Sequence, residues 1–294
     1  MTVLELIEAS AAQLEAAGLT FENGFGQGTT NAFDEAAWLV MWQLGLPLND
    51  LDSVSNRAVA EEERAQVATL LGARISTRKP AAYLTHEAWL MGVPFYVDER
   101  VIIPRSFIAE LLVDESIDPW LGEDTKRVLD LCTGNGSLAV LAAMTYPDVR
   151  VDAADVSPDA LAVARINVDK HGFADRITLI ESDGLAACPG AKNGGYDLIL
   201  CNPPYVNAAS MAALPAEFKA EPALALGGGS DGMDFIRSLF LTAAAHMREN
   251  AVLVLEIGNE RDNFERAFPH LEPLWFETSA GSDQVMLITR EQLV

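Results

Sequence analysis

Basic residues are scarce in this sequence, which has 20 lysines and arginines against 43 aspartates and glutamates in 294 residues. The net charge of −23 argues against stable binding to nucleic acid through a general basic surface, because phosphate binding depends on Lys and Arg. A strongly acidic protein instead attracts basic protein partners. The same charge is equally compatible with a role in solubility alone.

Cysteines and histidines are also few, with 3 and 4 respectively, and neither type shows the spacing of metal ligands. We therefore expect no metal site and a reducing compartment. No apolar run reaches the length of a membrane span, and the first residues are amphipathic with acids rather than signal-like. These absences predict a soluble, cytoplasmic protein without membrane contact.

The hydrophobic pattern predicts a helical region followed by an alternating α/β region. Helices are expected over residues 2–17, 33–44 and about 57–77, a β-hairpin over 82–90 and 94–103, and a helix over 107–114. Further strands are expected near 127–132, 150–155, 176–182, 196–202, 251–257, 271–278 and 284–289. The predicted domains are residues 1–80, a hairpin and linker over 81–125, and a mostly parallel sheet over 126–294 with an antiparallel last strand.

A glycine turn follows the first strand of that sheet, in the sequence Asp130-Leu131-Cys132-Thr133-Gly134-Asn135-Gly136. Glycines at 134 and 136 let the backbone approach a ligand closely and adopt positive φ. The turn lacks the Gly-Lys-Ser/Thr ending of a phosphate loop and the third glycine of a dinucleotide fingerprint. ATP and NAD are therefore poor candidates for its ligand.

Two acids follow the next two predicted strands. Asp155 lies about twenty residues beyond the turn, where a carboxylate reaches a ribose diol, and Asp183 is placed to meet an adenine amino group. Each acid also has a purely structural interpretation. Asp130 and Asp155 could cap helices, since Ser157-Pro158 reads as a helix start, and Asp183 could be a turn residue before Gly184.

The sequence Asn202-Pro203-Pro204-Tyr205 directly follows the apolar run 196–201. Two prolines make the turn rigid, so that the Asn202 side chain and the Pro203 carbonyl can converge on one NH₂ group. The Tyr205 ring can lie against the flat face of an amide or a nucleobase. An ordinary turn is the alternative, but the order of glycine turn, two acids and this motif at successive strand ends indicates S-adenosylmethionine beside an acceptor nitrogen.

Nearly the whole chain resembles the PrmB/PrmC (HemK-like) family of protein-glutamine methyltransferases. The resemblance rests on residues 82–85 and 95–106, the glycine turn and the Asn-Pro-Pro-Tyr motif. It is closer to the PrmB branch, which methylates a glutamine of large-subunit ribosomal protein three. This closer resemblance lies in residues 25–36, in residues 289–293 and in Cys132, where release-factor enzymes usually have glycine. Ser106-Phe107 and residues 282–284 depart from the family's common Ser-Pro and Gly-Asp-Gly.

The resemblance implies a seven-stranded Rossmann-like sheet with a smaller N-terminal helical domain that recognises a basic ribosomal protein. It implies S-adenosylmethionine as cofactor, held by Asp130, Cys132, Thr133, Gly134, Asn135, Gly136, Asp155, Val156, Asp183, Gly184 and Asn202. It also implies catalysis by Asn202, Pro203 and Tyr205, and substrate binding by Asn202, Pro203, Pro204 and Tyr205.

Three alternatives to this function remain open from the sequence: methylation of peptide release factors, adenine amino-methylation of nucleic acid, and an inactive assembly partner with the same fold. The roles of two residues also remain open. Glu256 could border the acceptor site or make structural hydrogen bonds, and Arg105 could reach a ligand or pair with an acid.

Overall fold

The computed structural model describes residues 1–21, 23–25, 27–215 and 217–294, which divide into two units by their internal packing. The first unit comprises Met1–Ala88, Val97–Glu99 and Leu214–Glu221. The second comprises Trp89–Tyr96, Arg100–Ala213 and Pro222–Val294. The inclusion of Leu214–Glu221 in the first unit was not predicted, because no local pattern marks a segment that packs on residues far away in the chain.

The first unit is helical. Thr2 begins α1 with a capping box, in which its hydroxyl accepts from the Glu5 N–H and the Glu5 carboxylate accepts from the Thr2 N–H. Asn31 caps α2 through its side-chain oxygen, which accepts from the Asp34 N–H. The predicted helices are confirmed, although the third begins later than expected. The helices are α1 (Val3–Ala16), α2 (Ala32–Gln43), α3 (Leu51–Val54), α4 (Glu61–Thr77) and α5 (Ala81–Thr85).

The prediction of strands over 82–90 and 94–103 was partly wrong. Residues Ala81–Thr85 form α5, and only β1 (Glu87–Leu90) and β2 (Val93–Tyr96) pair as strands. The extended backbone of Pro80 starts the helical turn, and the Thr85 hydroxyl donates to the Ala81 carbonyl at 3.0 Å. A left-handed residue, His86 with φ 53°, then ends it. Alanine-rich sequence favoured this helix over the strand that the apolar pattern suggested.

The second unit contains a seven-stranded sheet, which confirms the predicted Rossmann-like α/β class. Its strand order is β5-β4-β3-β6-β7-β9-β8. Strands β3 to β7 are parallel, and β9 runs antiparallel to both β7 and β8. The strands are β3 (Arg127–Leu131), β4 (Arg150–Asp155), β5 (Ile177–Glu181), β6 (Tyr196–Cys201), β7 (Met247–Glu256), β8 (Leu274–Trp275) and β9 (Val285–Thr289).

Helices connect these strands. They are α6 (Ile108–Val113), α7 (Ser137–Thr145), α8 (Pro158–Lys170), α9 (Ala208–Ala213), α10 (Asp234–Phe240), α11 (Ala243–His246) and α12 (Arg261–Ala267). Single-turn 3₁₀ helices occur at Asp118–Trp120, Pro189–Lys192, Phe218–Ala220, Ala223–Ala225 and Arg290–Leu293. In the described parts of the chain, no helix is both long enough and apolar enough to span a membrane.

The central strands are apolar on both faces, which explains their continuous hydrophobic runs. Val128 and Leu198 belong to the core on one face, whereas their chain neighbours Leu129 and Ile199 belong to the core on the other. Each such buried side chain contributes about 1.5–3 kcal/mol relative to exposure. Because β3 lies between β4 and β6, the loops after these parallel strands open at one edge of the sheet, where ligands of such folds bind.

Candidate active site

A cavity of about 290 Å³ lies at the carboxyl ends of β3 to β6. Ten of the predicted site residues line it and come from four successive strand ends. They are Cys132, Thr133, Gly134 and Asn135 after β3, Asp155 and Val156 at β4, Asp183 and Gly184 after β5, and Asn202 and Pro204 after β6. Asp130, Gly136, Pro203 and Tyr205 are not among its lining residues.

The glycine turn after β3 has left-handed backbone at Cys132, Gly134 and Gly136, with φ of 62°, 54° and 81°. A Cβ built at Gly134 would meet no described atom within 4 Å, so this part of the turn is open to a ligand. A Cβ at Gly136 would come within 3.2 Å of the Ala164 Cβ on α8. Gly134 therefore leaves room at the cavity, whereas Gly136 allows two helices to approach closely.

Asp130 supports the turn from behind. Its side chain is fully buried, and its Oδ2 accepts hydrogen bonds from the Thr133 hydroxyl and, at 3.0 Å, from the Ala139 N–H. Burial raises the pKa of Asp130 to about 7. This geometry supports the capping interpretation for Oδ2 and leaves Oδ1 for other contacts.

Two buried polar atoms of this turn, Oδ1 of Asp130 and Nδ2 of Asn135, have no hydrogen-bond partner among the described residues. Buried polar atoms are nearly always paired in folded proteins. One of these atoms accepts and the other donates. The turn thus offers both kinds of hydrogen bond to a polar molecule bound beside it.

Asp155 joins the first two loops of the site. Its Oδ2 accepts from the Gly134 N–H and its Oδ1 from the Ser157 N–H, both at 2.9 Å. Burial raises its pKa, although these hydrogen bonds oppose the shift. The predicted helix start is confirmed, because Ser157 caps α8 through the Ala160 N–H. Asp155 therefore lies at the cavity wall, and Ser157 rather than Asp155 caps α8. Asp183 also lines the cavity, and its side chain is exposed.

The Asn-Pro-Pro-Tyr turn places its side chains differently. Asn202 is half-buried at the cavity, and its amide makes no hydrogen bond to any residue that the structure describes. Pro203 is buried. The Tyr205 ring packs on Gly258, where a Cβ would come within 2.6 Å of it, and the Tyr205 hydroxyl lies 3.4 Å from Oε1 of Glu256. The ring therefore supports the turn from outside the cavity.

Glu256 makes structural hydrogen bonds, one of the two roles that the sequence left open. It is 2% exposed, and its Oε2 accepts from the Ser106 hydroxyl at 2.6 Å and from the Phe107 N–H at 2.9 Å. Burial raises its pKa to about 7. Arg105 lines the cavity, and its Nη1 donates to the Ile103 carbonyl at 3.0 Å.

Sequence reasoning missed the glycines that surround the Asn-Pro-Pro-Tyr turn. A Cβ at Gly228 would come within 2.8 Å of the Pro204 carbonyl oxygen, and one at Gly232 within 2.3 Å of the Tyr205 carbonyl oxygen. The run Gly227-Gly228-Gly229 was the available signal, because successive glycines allow close backbone approach. Other lining residues that were not assigned to the site from the sequence include Arg100, Val101, Ile102, Ser106, Pro222, Leu224 and Phe235.

Comparison with known proteins identifies the fold and the family. The profile of the family "Methyltransferase small domain" matches residues 109–255. The catalytic domain of hMettl16, solved in complex with MAT2A 3'UTR hairpin 6, superposes with a TM-score of 0.50 at 14% identity. The match covers 78% of this chain and 81% of that one, and at this identity it concerns the fold alone.

Relatives of nearly the same length are named ribosomal protein uL3 glutamine methyltransferase. The protein of Bordetella pertussis is 51% identical over 99% of this chain and 96% of its own length. The relative from Burkholderia pseudomallei is 48% identical, over 99% and 95% of the two chains. The relative from Neisseria meningitidis serogroup A is 47% identical, over 100% and 94%. With this identity over its whole length, the chain belongs to the family of ribosomal protein uL3 glutamine methyltransferases.

Proposed function

We propose that this protein transfers a methyl group from S-adenosylmethionine to the side-chain amide nitrogen of a glutamine in large-subunit ribosomal protein uL3. The names of relatives at 41–51% identity support this substrate. The proposal rests mainly on Asn202. Its side-chain amide has no hydrogen-bond partner among the described residues and lies at the same cavity as the glycine turn and Asp155.

The residues present fit S-adenosylmethionine. The open face of Gly134 and the unpaired Oδ1 of Asp130 and Nδ2 of Asn135 suit a polar, zwitterionic end of a ligand. We assign the ribose hydroxyls to Asp155 and the adenine amino group to Asp183, with Cys132, Thr133, Gly136, Val156 and Gly184 completing the binding loops. This cofactor supplies an electrophilic methyl group on a positively charged sulfur.

The acceptor amide nitrogen is a poor nucleophile because its lone pair is shared with the carbonyl group. Positioning must therefore supply much of the rate. We infer that the Asn202 side-chain oxygen and the Pro203 carbonyl accept hydrogen bonds from the two N–H groups of the substrate amide. These N–H groups become more acidic as the new bond forms, so the acceptors stabilise the transition state more than the ground state.

The two prolines contribute to the acceptor site because they have no backbone N–H group. Neither Pro203 nor Pro204 has a backbone N–H, so the turn presents carbonyl oxygens without donors that would compete for them. The glycines at 228 and 232 hold this turn by close backbone packing. Tyr205, whose ring packs on Gly258, fixes the turn's exit and has a supporting role in this scheme.

The charge of the protein suits the proposed partner. A net charge of −23 favours encounter with a basic ribosomal protein and disfavours nucleic acid as acceptor. The helical first unit is assigned to substrate recognition. A ribosomal-protein substrate implies that the reaction takes place in the cytoplasm.

The test is transfer of labelled methyl from S-adenosylmethionine by the purified protein to recombinant uL3, to a peptide release factor and to a DNA oligonucleotide. Mass spectrometry then locates the label. We expect methyl on one uL3 glutamine and none with Asn202→Ala. Label on the release factor alone would move the substrate to the sister branch, and label on neither protein would overturn protein-glutamine methylation.

A further inference from the structure

The chain that leaves the Asn-Pro-Pro-Tyr turn is held by residues 256–260, which lie where β7 ends in the same unit. Gly258 of this segment packs on the Tyr205 ring. Two residues further on, Oε1 of Glu260 accepts a hydrogen bond from Nδ2 of Asn207 at 2.6 Å. The segment therefore contacts both Tyr205, the last residue of the turn, and Asn207, just after it.

Glu260 is an acid that is largely withdrawn from solvent, with 8% of its surface exposed. Its second oxygen, Oε2, accepts a hydrogen bond from Nδ2 of Asn263 in α12. A Cβ at Gly232 would come within 3.3 Å of the Glu260 Cγ and within 2.3 Å of the Tyr205 carbonyl oxygen. Gly232 thus allows Glu260 and the turn to pack closely on the same backbone.

The two asparagine amides that donate to Glu260 are fixed in orientation. Oδ1 of Asn207 accepts from the Ser210 N–H at 3.0 Å, at the start of α9, and Oδ1 of Asn263 accepts from Nη2 of Arg266. Exchanging oxygen and nitrogen in either amide would place its NH₂ group against another donor. Both Nδ2 atoms therefore face position 260, where a carboxylate accepts from both and a glutamine has only one acceptor oxygen.

The connection from Asn207 back to Asn202 is short and stiff. Both prolines of the turn have fixed φ, and the Val206 N–H donates to the Leu226 carbonyl at 2.8 Å. Few backbone dihedrals are therefore free to absorb a shift of Asn207 before it reaches the Pro203 carbonyl. Since methyl transfer depends on the alignment of the reacting groups, the position of Asn207 affects the rate.

We propose that Glu260 is a positioning residue for methyl transfer, which fixes the exit of the Asn-Pro-Pro-Tyr turn through its hydrogen bond from Asn207. Its effect on catalysis rests on the proposed function, whereas the hydrogen bond does not. Glu260 is not among the residues that line the cavity, and in this scheme it touches neither cofactor nor substrate. It acts by keeping the acceptors at Asn202 and Pro203 aligned with the methyl group.

Glu260→Ala removes the acceptor and tests this role. We expect kcat for methylation of uL3 to fall about 10- to 100-fold, because a misplacement of about 1 Å can cost about 100-fold in rate. The Kd for S-adenosylmethionine, measured by calorimetry, should change less than about threefold, since the binding loops after β3 and β4 are untouched. Hydrogen exchange in peptides from residues 205–213 should become faster, because the Asn207 side chain is released.

A paired variant separates the hydrogen bond from general damage. Asn207→Asp combined with Glu260→Gln exchanges donor and acceptor between the two positions. The new carboxylate still accepts from the Ser210 N–H and now also from the new amide, whose oxygen still accepts from Asn263. We expect kcat and hydrogen exchange to return to within about threefold of the wild-type values.

Asn263→Ala is the matched control. It removes the other donor to Glu260 and leaves the hydrogen bond from Asn207 in place, so kcat should stay near the wild-type value. If Glu260→Ala does not fold, Asn207→Ser serves instead, because it keeps a side-chain oxygen to cap α9 and removes the donor amide.

Each part of the proposal has its own contrary result. Wild-type hydrogen exchange over residues 205–213 in Glu260→Ala overturns the hold on the turn's exit. A lower urea midpoint with unchanged kcat, measured where the variant is folded, overturns the positioning role. An equal loss of kcat in Asn263→Ala, or no recovery in the paired variant, overturns the route through Asn207.

Failure of the proposed function is distinguishable from these results. Absence of methyl transfer by the wild-type protein overturns that function and, with it, the catalytic effect of Glu260. Faster hydrogen exchange in Glu260→Ala, reversed in the paired variant, would still support the hold of Glu260 on the turn's exit.

Discussion

The carboxylate of Glu256 accepts a hydrogen bond from the Ser106 hydroxyl at 2.6 Å, although 150 residues of chain separate the two. Its other oxygen lies 3.4 Å from the Tyr205 hydroxyl. One buried side chain at the end of β7 therefore holds both the loop before α6 and the Asn-Pro-Pro-Tyr turn. These contacts explain the burial of an acid at this strand end without requiring it to act as a base.

Glu256→Gln should change how stability depends on pH. Burial raises the pKa of Glu256 from 4.5 to about 7, so its protonated form is favoured in the folded state. The stabilisation from this shift is full below about pH 4.5 and is lost as the pH rises through about 7. We expect the free energy of unfolding of the wild type, relative to the variant, to fall by about 2–3 kcal/mol between pH 5 and pH 8.

Urea denaturation of both proteins at several pH values measures this difference. Glutamine preserves an acceptor for Ser106 and Phe107, so the comparison isolates the titration. Asp130, whose pKa is also raised to about 7, is present in both proteins and cancels. Stability curves that remain parallel from pH 5 to pH 8 would contradict the prediction.

Gly258→Ala should displace Tyr205. The new Cβ would lie 2.6 Å from the Tyr205 ring, and the backbone there has a φ of 53°. We expect a loss of about 1–3 kcal/mol from the clash, beyond the cost of the backbone conformation, together with reduced methyl transfer. Gly172→Ala is the control, because Gly172 has a φ of 74° with no described atom within 4 Å of a Cβ. Equal losses in the two variants, measured by chemical denaturation, would show that the ring adjusts freely.

Asn202→Ala should remove catalysis while largely preserving cofactor binding. Loss of one transition-state acceptor costs about 2–4 kcal/mol, so kcat/KM should fall roughly 30- to 1000-fold. The Kd for S-adenosylmethionine, measured by calorimetry, should change less than about fivefold, because the binding loops after β3 and β4 are untouched. Asn56→Ala serves as the control, because Asn56 is exposed. Turnover near the control value would exclude Asn202 as the group that orients the acceptor.

Asp155→Asn should instead weaken the binding of S-adenosylmethionine. A hydrogen bond to a charged group contributes about 1.5–3 kcal/mol, so the Kd for S-adenosylmethionine should rise about 10- to 100-fold. Asparagine can still accept from one of the two N–H groups at Gly134 and Ser157, which limits structural damage. Asp159→Asn, an exposed acid in the first turn of α8, is the matched control. An unchanged affinity would leave Asp155 with a purely structural role.

Much of the second unit follows from local sequence. Continuous apolar runs predicted the parallel strands, because both faces of those strands are buried, and Ser157-Pro158 predicted the start of α8. The strand assigned to residues 82–90 failed where Ala81–Thr85 formed a helix. Its short apolar run fits either structure, and the alanines favoured the helix.

The place of several site residues was also predictable from the chain. Glycine at 134, acids at 155 and 183 and the Asn-Pro-Pro-Tyr motif each follow a strand, and parallel strands bring their carboxyl ends to one edge. Backbone requirements and side-chain chemistry are local properties, so the sequence by itself predicted ten of the residues that line the cavity at these strand ends.

Only the tertiary structure decided which groups support those residues. The Ser106–Glu256 hydrogen bond joins positions 150 residues apart, and the Arg74–Glu217 pair joins positions 143 apart. No local pattern distinguishes a glutamate that becomes fully buried from one that stays in solvent. Burial sets the partners of such groups and raises the pKa of Glu256, and burial is known only when distant segments have packed together.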